Sequence, residues 1–98
     1  MPAYIIARVE VSDMTRYAEY MKVTPGVIAK FGGKFVARGG EAITLEGEPE
    51  RSRVVLIEFP SLLDAQAFYH SEEYKETKVL RDGAATAQFV AVEGWCES

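Results

Sequence analysis

The segment Arg53-Val54-Val55-Leu56-Ile57-Glu58-Phe59 constrains the fold more than any other part of the chain. Rich in β-branched and aromatic residues and free of Gly and Pro, it reads as a strand, whose side chains alternate between two faces. Val55, Ile57 and Phe59 fall on one face, Val54 and Leu56 on the other, so both faces are apolar. A strand of this kind belongs in the middle of a sheet that is covered on both sides. Ala3 to Val11 has the same character, with Ile5, Ala7 and Val9 opposing Tyr4 and Ile6.

Between these two strands the pattern changes to a helical period. Ser12 and Asp13 supply a cap and an acid at a helix start, and Met14, Tyr17, Ala18 and Met21 recur at i, i+3, i+4 and i+7. Pro25 lacks the N–H of a regular helix and disfavours the helical conformation at Thr24, while Thr as cap with Pro at the first position can start a new one. The expectation is a break near Thr24 and a short second helix from Pro25 to Phe31. Gly32-Gly33 ends it, Lys34 to Arg38 reads as a second strand, and Gly39-Gly40 stops that strand. The polar connection to Ser52 contains Ile43-Thr44-Leu45, a candidate short extra strand.

After Pro60, Ser61-Leu62-Leu63-Asp64 has the form of a capping box, followed by an apolar face of Leu62, Ala65, Phe68 and Tyr69. Ser71-Glu72-Glu73 caps a further helix through Leu80, with Lys75, Lys78 and Arg81 toward its C-terminal end and Gly83 closing it. Thr86 to Glu93 then alternates Ala87, Phe89 and Ala91 against Gln88, Val90 and Val92 as a fourth strand. The order is βαββαβ. Right-handed crossovers put both helical segments on one face of a four-stranded antiparallel sheet, an α+β fold of ferredoxin-like type with strands one and three central.

One helical layer leaves the second sheet face bare, and that face is apolar. A patch of this kind is usually an interface, most often with a second copy of the same chain, so a homodimer through the open sheet face is expected. The alternative cover is the Ile43 region or Trp95. The chain has 98 residues, which is one domain (1–98, with its core in 3–95), and a domain so small gains from association.

Composition narrows the partners. Hydrophobic residues are 48% and charged residues 27%, the balance of a folded soluble protein. A net charge of −4 with no basic run argues against nucleic acid, and apolar runs of four or five residues are too short to span a membrane. With no signal-peptide pattern at the start, a cytoplasmic location is expected. Cys96 is the only cysteine, which excludes an internal disulfide and a multi-cysteine metal site, and it reads as an unreactive tail thiol.

Several stretches taken together resemble the family known as domain of unknown function 1330, within the dimeric α+β barrel superfamily. They are Gly32-Gly33-Lys34-Phe35-Val36-Ala37-Arg38-Gly39-Gly40, Arg53 with Ile57-Glu58-Phe59-Pro60-Ser61, Tyr69 and Ser71 with Tyr74, and Arg81. The resemblance covers nearly the whole chain and implies a homodimer whose two sheets close into a barrel. Phe68, His70 and Glu72 depart from the Trp, Asn and Pro common in the family, which puts the local geometry of the linker between helices in question. Superfamily relatives include cofactor-free monooxygenases, muconolactone isomerase-like enzymes and stress-response proteins, so the fold does not select one chemistry.

His70 is the only histidine and so the first candidate for a general base, with Glu58 as a second if it is buried. His70 falls at a helix junction, where exposure is the commoner fate. No second His or nearby Cys supports a transition metal, and the acids between Glu41 and Glu50 match no calcium loop, so neither metal nor cofactor is expected. Arg38, Tyr69, Tyr74 and Arg81 are candidates for one cavity that holds a small anion. Arg offers a rigid donor fork for a carboxylate and Tyr a phenol beside an apolar wall. The competing reading makes Arg38 or Arg81 a structural bridge to Glu58 or another acid. Two functions remain open on this basis: cofactor-free proton transfer or oxygenation of a small, partly apolar acid, and non-catalytic binding of a metabolite or protein.

Overall fold

The computed structural model describes residues 1–95; Cys96, expected as an inert tail thiol, lies outside them. Strand β1 (Ala3–Val11) is the centre of the sheet because it is apolar on both sides. It pairs antiparallel with β3 (Arg53–Phe59) on one side and β4 (Ala85–Glu93) on the other, and β2 (Lys34–Arg38) adds to β3, giving the order β2-β3-β1-β4. In register, Ile5 lies between Ile57 and Ala91, and Ala7 between Val55 and Phe89. These side chains form the face that the helices cover, and Ile5, Ala7, Val9, Val55, Ile57 and Phe59 are all buried. The order is the βαββαβ expected, with three helices over one face: α1 (Met14–Lys30), α2 (Leu62–His70) and α3 (Glu72–Val79).

Helix α1 corrects two expectations. It starts where anticipated, with the Asp13 carboxylate accepting from the Arg16 N–H, but it runs unbroken through Pro25 to Lys30. Its buried side is Tyr17, Tyr20, Thr24, Val27 and Ile28, whereas Met14 stays 53% exposed. Pro25 has no N–H to give the carbonyl four residues back, that of Met21. A side chain from another element supplies the donor: Arg38 Nη2 lies 2.8 Å from the Met21 oxygen. The Thr24 hydroxyl, folded back, donates to the Tyr20 carbonyl at 2.5 Å. With these groups satisfied, packing of the Val27–Ile28 side against the core outweighs the local preference for a break.

The capping predictions for the later helices hold. Ser61 Oγ accepts from the Asp64 N–H at 3.1 Å and donates to the Asp64 carboxylate at 2.9 Å. Ser71 serves both helices at once, donating to the Phe68 carbonyl at 2.7 Å and accepting from the Tyr74 N–H at 3.1 Å. That single residue, in extended conformation, turns the chain between α2 and α3 and points Phe68 and Tyr74 into the same core, where their ring centroids are 4.6 Å apart.

Ile43-Thr44-Leu45 is not a strand. The loop between β2 and β3 has no ladder partner, and Ile43 and Leu45 are 73% and 94% exposed. It is tied down instead by Glu50, whose carboxylate accepts from Arg8 Nε at 2.8 Å on the face opposite the helices. Trp95 is 84% exposed, so neither it nor Ile43 covers that face. Tyr4, Ile6, Val54, Leu56, Val90 and Val92 lie there by register. The face is apolar at its centre, with Arg8, Glu58 and Gln88 among its charged and polar positions.

Candidate functional site

Strand β2 is irregular, and the irregularity builds the site. Phe35 pairs with Ile57 and Arg38 with Val55, both on the helical face, because a bulge between Phe35 and Ala37 inserts Val36 as an extra residue. Strict alternation would have sent Phe35 and Arg38 to opposite faces. As it is, the Arg38 guanidinium stacks 4.4 Å from the centroid of the Phe35 ring while holding the Met21 carbonyl. Beyond Arg38, Gly39 takes φ +71° and its N–H donates to the Val54 carbonyl at 3.0 Å. A Cβ there would fall 2.3 Å from the Arg53 guanidinium, so only glycine lets Arg53 lie across the turn. Arg53 Nη2 in turn donates to the Arg38 carbonyl at 3.3 Å and approaches the Met21 sulfur at 3.5 Å.

Between α1 and the sheet these residues line a partly open cavity of about 30 Å³. Its floor includes Ala7, Val9, Val55 and Ile57, its roof Tyr17, Tyr20, Met21 and Thr24, and its two ends Phe35 with Arg38 and Arg53 on one side and Phe89 on the other. Space of this size holds roughly one water or a carboxylate head. Behind Tyr20 lies a second polar group. The Tyr20 and Tyr74 hydroxyls are 2.7 Å apart and buried, and the Arg81 guanidinium sits 5.5 Å from the ring centroids of both Tyr20 and Phe89.

The electrostatics are those of a cationic site lined with phenols. Arg81 is 8% exposed, and among the described residues the Nε–H groups of both Arg53 and Arg81 are buried without a hydrogen-bond partner. Among the described residues the ion pairs are Arg8–Glu50, Lys22–Glu19, Lys34–Glu58 and Lys75–Glu72, so no acid pairs with Arg38, Arg53 or Arg81. Burial, then the neighbouring Tyr20, pushes the Tyr74 phenol far above its ordinary range; burial likewise raises Tyr17, against a smaller pull from Arg53 and Arg81. For Arg81 burial opposes charge, but the Tyr74 and Tyr20 oxygens beside it more than offset this, and it remains a cation. Leaving a buried donor unsatisfied costs on the order of 1–3 kcal/mol, so each of these Nε–H groups calls for an acceptor.

The residues expected from the sequence divide among four places. Arg38 lines the cavity, and Tyr74 and Arg81 stand together behind Tyr20, sharing a face although α3 ends before Arg81. Tyr69 and His70 line a separate groove between α2 and β4, where the Tyr69 hydroxyl accepts from Lys78 Nζ at 2.8 Å and the two rings meet edge-on at 5.5 Å. Glu58 is on the far side of the sheet, 3.5 Å from Lys34, and does not meet the arginines. The structural bridge to Glu58 considered for Arg38 or Arg81 is therefore not formed. Sequence reasoning passed over Tyr17, Tyr20 and Phe89 as site residues. The Tyr17–Tyr20 spacing on the buried side of α1 was the available signal, since a phenol that is buried needs a polar partner. Among the described residues no cluster of three or more His, Cys, Asp or Glu could hold a metal ion.

Fold and site together define a ferredoxin-like α+β protein with an arginine- and tyrosine-lined cavity between its sheet and helices. The chain belongs to the family described as "Domain of unknown function (DUF1330)", whose model matches residues 2–95. No curated protein matches it. Among solved structures it is similar to RPA0582, a protein of unknown function from Rhodopseudomonas palustris, with TM-score 0.74 and 21% identity over 98% of this chain and 84% of that one. It is also similar to a dimeric ferredoxin-like protein of unknown function from Jannaschia sp. CCS1, with TM-score 0.69 and 14% identity over 96% of this chain and 100% of the other. A third similar structure is SnoaB, a cofactor-independent oxygenase from Streptomyces nogalater, with TM-score 0.60 and 13% identity over 98% and 95% of the two chains. At these identities the likeness establishes the shared fold.

Proposed function

We propose that two copies of this chain associate through the open sheet face and that each binds a small, partly apolar carboxylic acid between its sheet and helices. The observation that carries the binding is the pair of buried Nε–H groups, of Arg53 on the cavity wall and of Arg81 behind Tyr20, that have no hydrogen-bond partner among the described residues. A carboxylate supplies what both lack, and the apolar walls of the groove beyond Phe89 suit a hydrocarbon body. Association is supported by the apolar centre of the open face and by the dimeric description of the Jannaschia relative.

Of the two activities open to such a site, the geometry favours binding without turnover over proton transfer or oxygenation. Among the described residues neither an imidazole nor a carboxylate lines the cavity, and phenols raised by burial are donors at neutral pH. Catalysis by His70 would require an acid that extends into the α2–β4 groove. A thermal-shift screen of short-chain and aromatic carboxylic acids tests the reading, because a ligand that binds the folded state must raise its melting temperature. Saturable stabilisation by acids and not by their amides is expected, without consumption of the acid. Equal response to acids and amides contradicts the anion site, and consumption of a bound acid replaces the binding module with an enzyme.

A further inference from the structure

The buried cavity is too small for anything beyond a carboxylate head, so an acid that enters it must keep its hydrocarbon part elsewhere. Among the described residues the only wall shared by this cavity and the much larger groove between α2 and β4 is Phe89, which lines both. The groove has a volume of about 310 Å³, within reach of the lower limit for small-molecule sites. Its surfaces are Ile5, Ala87 and Ala91 of the sheet and Ala65, Tyr69 and His70 of α2.

From these facts we infer that Phe89 is the specificity-determining residue of the acid site, a movable partition whose displacement joins cavity and groove into one pocket for an arylalkanoic acid. The inference rests on the acid-binding reading above. Three observations converge on it. The Arg81 guanidinium lies against the Phe89 ring at 5.5 Å and carries a buried, unpaired Nε–H, so this ring stands between a waiting donor and the groove. On the same face of β4 the neighbours of Phe89 are Ala87 and Ala91, both exposed and small, which leave the ring room to turn along the strand. On the groove side Phe89 faces the Tyr69 ring, 5.6 Å between centroids, and Tyr69 faces His70, so an aryl body in the groove meets aromatic surfaces. With Phe89 displaced, the head takes the donors of Arg53 in the cavity and of Arg81 behind the ring, and the aryl body takes the groove.

Isothermal titration of acetate, phenylacetate and 4-phenylbutyrate into the wild-type protein and the Phe89→Leu, Phe89→Ala and Phe89→Trp variants tests this. The wild type should prefer phenylacetate to acetate. Phe89→Leu and Phe89→Ala, each a smaller partition, should shift the preference toward 4-phenylbutyrate by about tenfold or more, the scale on which pockets read hydrocarbon size. Phe89→Trp should lose the aryl acids and keep acetate. Phe89→Leu keeps an apolar side chain in place and reads the same effect if Phe89→Ala unfolds. An unchanged ratio of affinities across folded variants overturns the role of Phe89 while leaving the acid site standing. Absence of binding by any acid to the wild type overturns both.

Discussion

Arg38 holds the Met21 carbonyl that Pro25 leaves without a helical donor, through a 2.8 Å hydrogen bond from Nη2. The two elements concerned, β2 and α1, make few other contacts, and this bond fixes the roof of the cavity relative to its end. Removing the guanidinium by Arg38→Met should therefore destabilise the fold by about 0.5–1.5 kcal/mol, the net value of a hydrogen bond with solvent nearby. Pro25→Ala returns the missing N–H to the helix. In that background the loss at Arg38 should shrink, giving a coupling of about 0.5 kcal/mol or more in a double-mutant cycle measured by urea unfolding. Strict additivity would show that Arg38 does not compensate for the proline.

The two neighbouring residues Leu56 and Ile57 should respond oppositely to a charge because they face opposite sides of the sheet. Ile57 is 3% exposed beneath the helices, and Ile57→Asp should cost several kcal/mol, the scale of an unpaired buried charge, and unfold the protein. Leu56 lies on the open face, where Leu56→Asp should leave a folded chain and abolish association. Sedimentation equilibrium at micromolar concentration separates the outcomes: dimer for the wild type, folded monomer for Leu56→Asp. A wild-type monomer across that range would remove the proposed interface.

Gly39→Ala places a methyl group 2.3 Å from the Arg53 guanidinium at a position with φ +71°. Backbone strain of this kind costs about 1–3 kcal/mol, and relief requires Arg53 to leave the cavity. The variant should melt lower and also lose affinity for the acids that bind the wild type. A loss of stability with affinity intact would place Arg53 outside the binding site.

Alkaline pH tests the buried phenols. Tyr74 and Tyr17 have folded-state pKa values raised above the ordinary 10.0, so the folded protein keeps protons that the unfolded chain releases. The unfolded state then binds fewer protons and stability falls with rising pH. Their contribution is fully present below about pH 10, the pKa of a free phenol, and is lost above it. Tyr74→Phe should flatten the fall seen above about pH 10 in urea titrations. An unchanged slope would mean that the Tyr74 phenol is accessible to water.

Much of the fold was legible because local chemistry and global packing agree. The Ser61–Asp64 box, the Ser71 cap and the two-sided apolar character of β1 and β3 each specify one local structure, and the sheet order follows from connection rules. The failures have a common cause. Pro25 signals a break locally, but Arg38 reaches Met21 across 17 positions of sequence, and no local rule contains that contact. The bulge at Val36 turns Arg38 toward the helices without a Gly to announce it. Tyr20 meets Tyr74 across 54 positions, so the pairing that makes Tyr20 part of the site arises only once α1 and α3 pack together. Ile43-Thr44-Leu45 has strand propensity yet finds no partner edge, and propensity without a partner does not make a strand.

Calorimetric titration of phenylacetate into the wild-type protein and Arg81→Gln shows whether buried arginine side chains hold a carboxylate. Saturable binding at one acid per chain is expected, weakened about 10- to 100-fold in Arg81→Gln, since a hydrogen bond to a charged group contributes roughly 1.5–3 kcal/mol. Equal affinity for the two folded proteins, or no binding of the acid to the wild type at millimolar concentration, would contradict it.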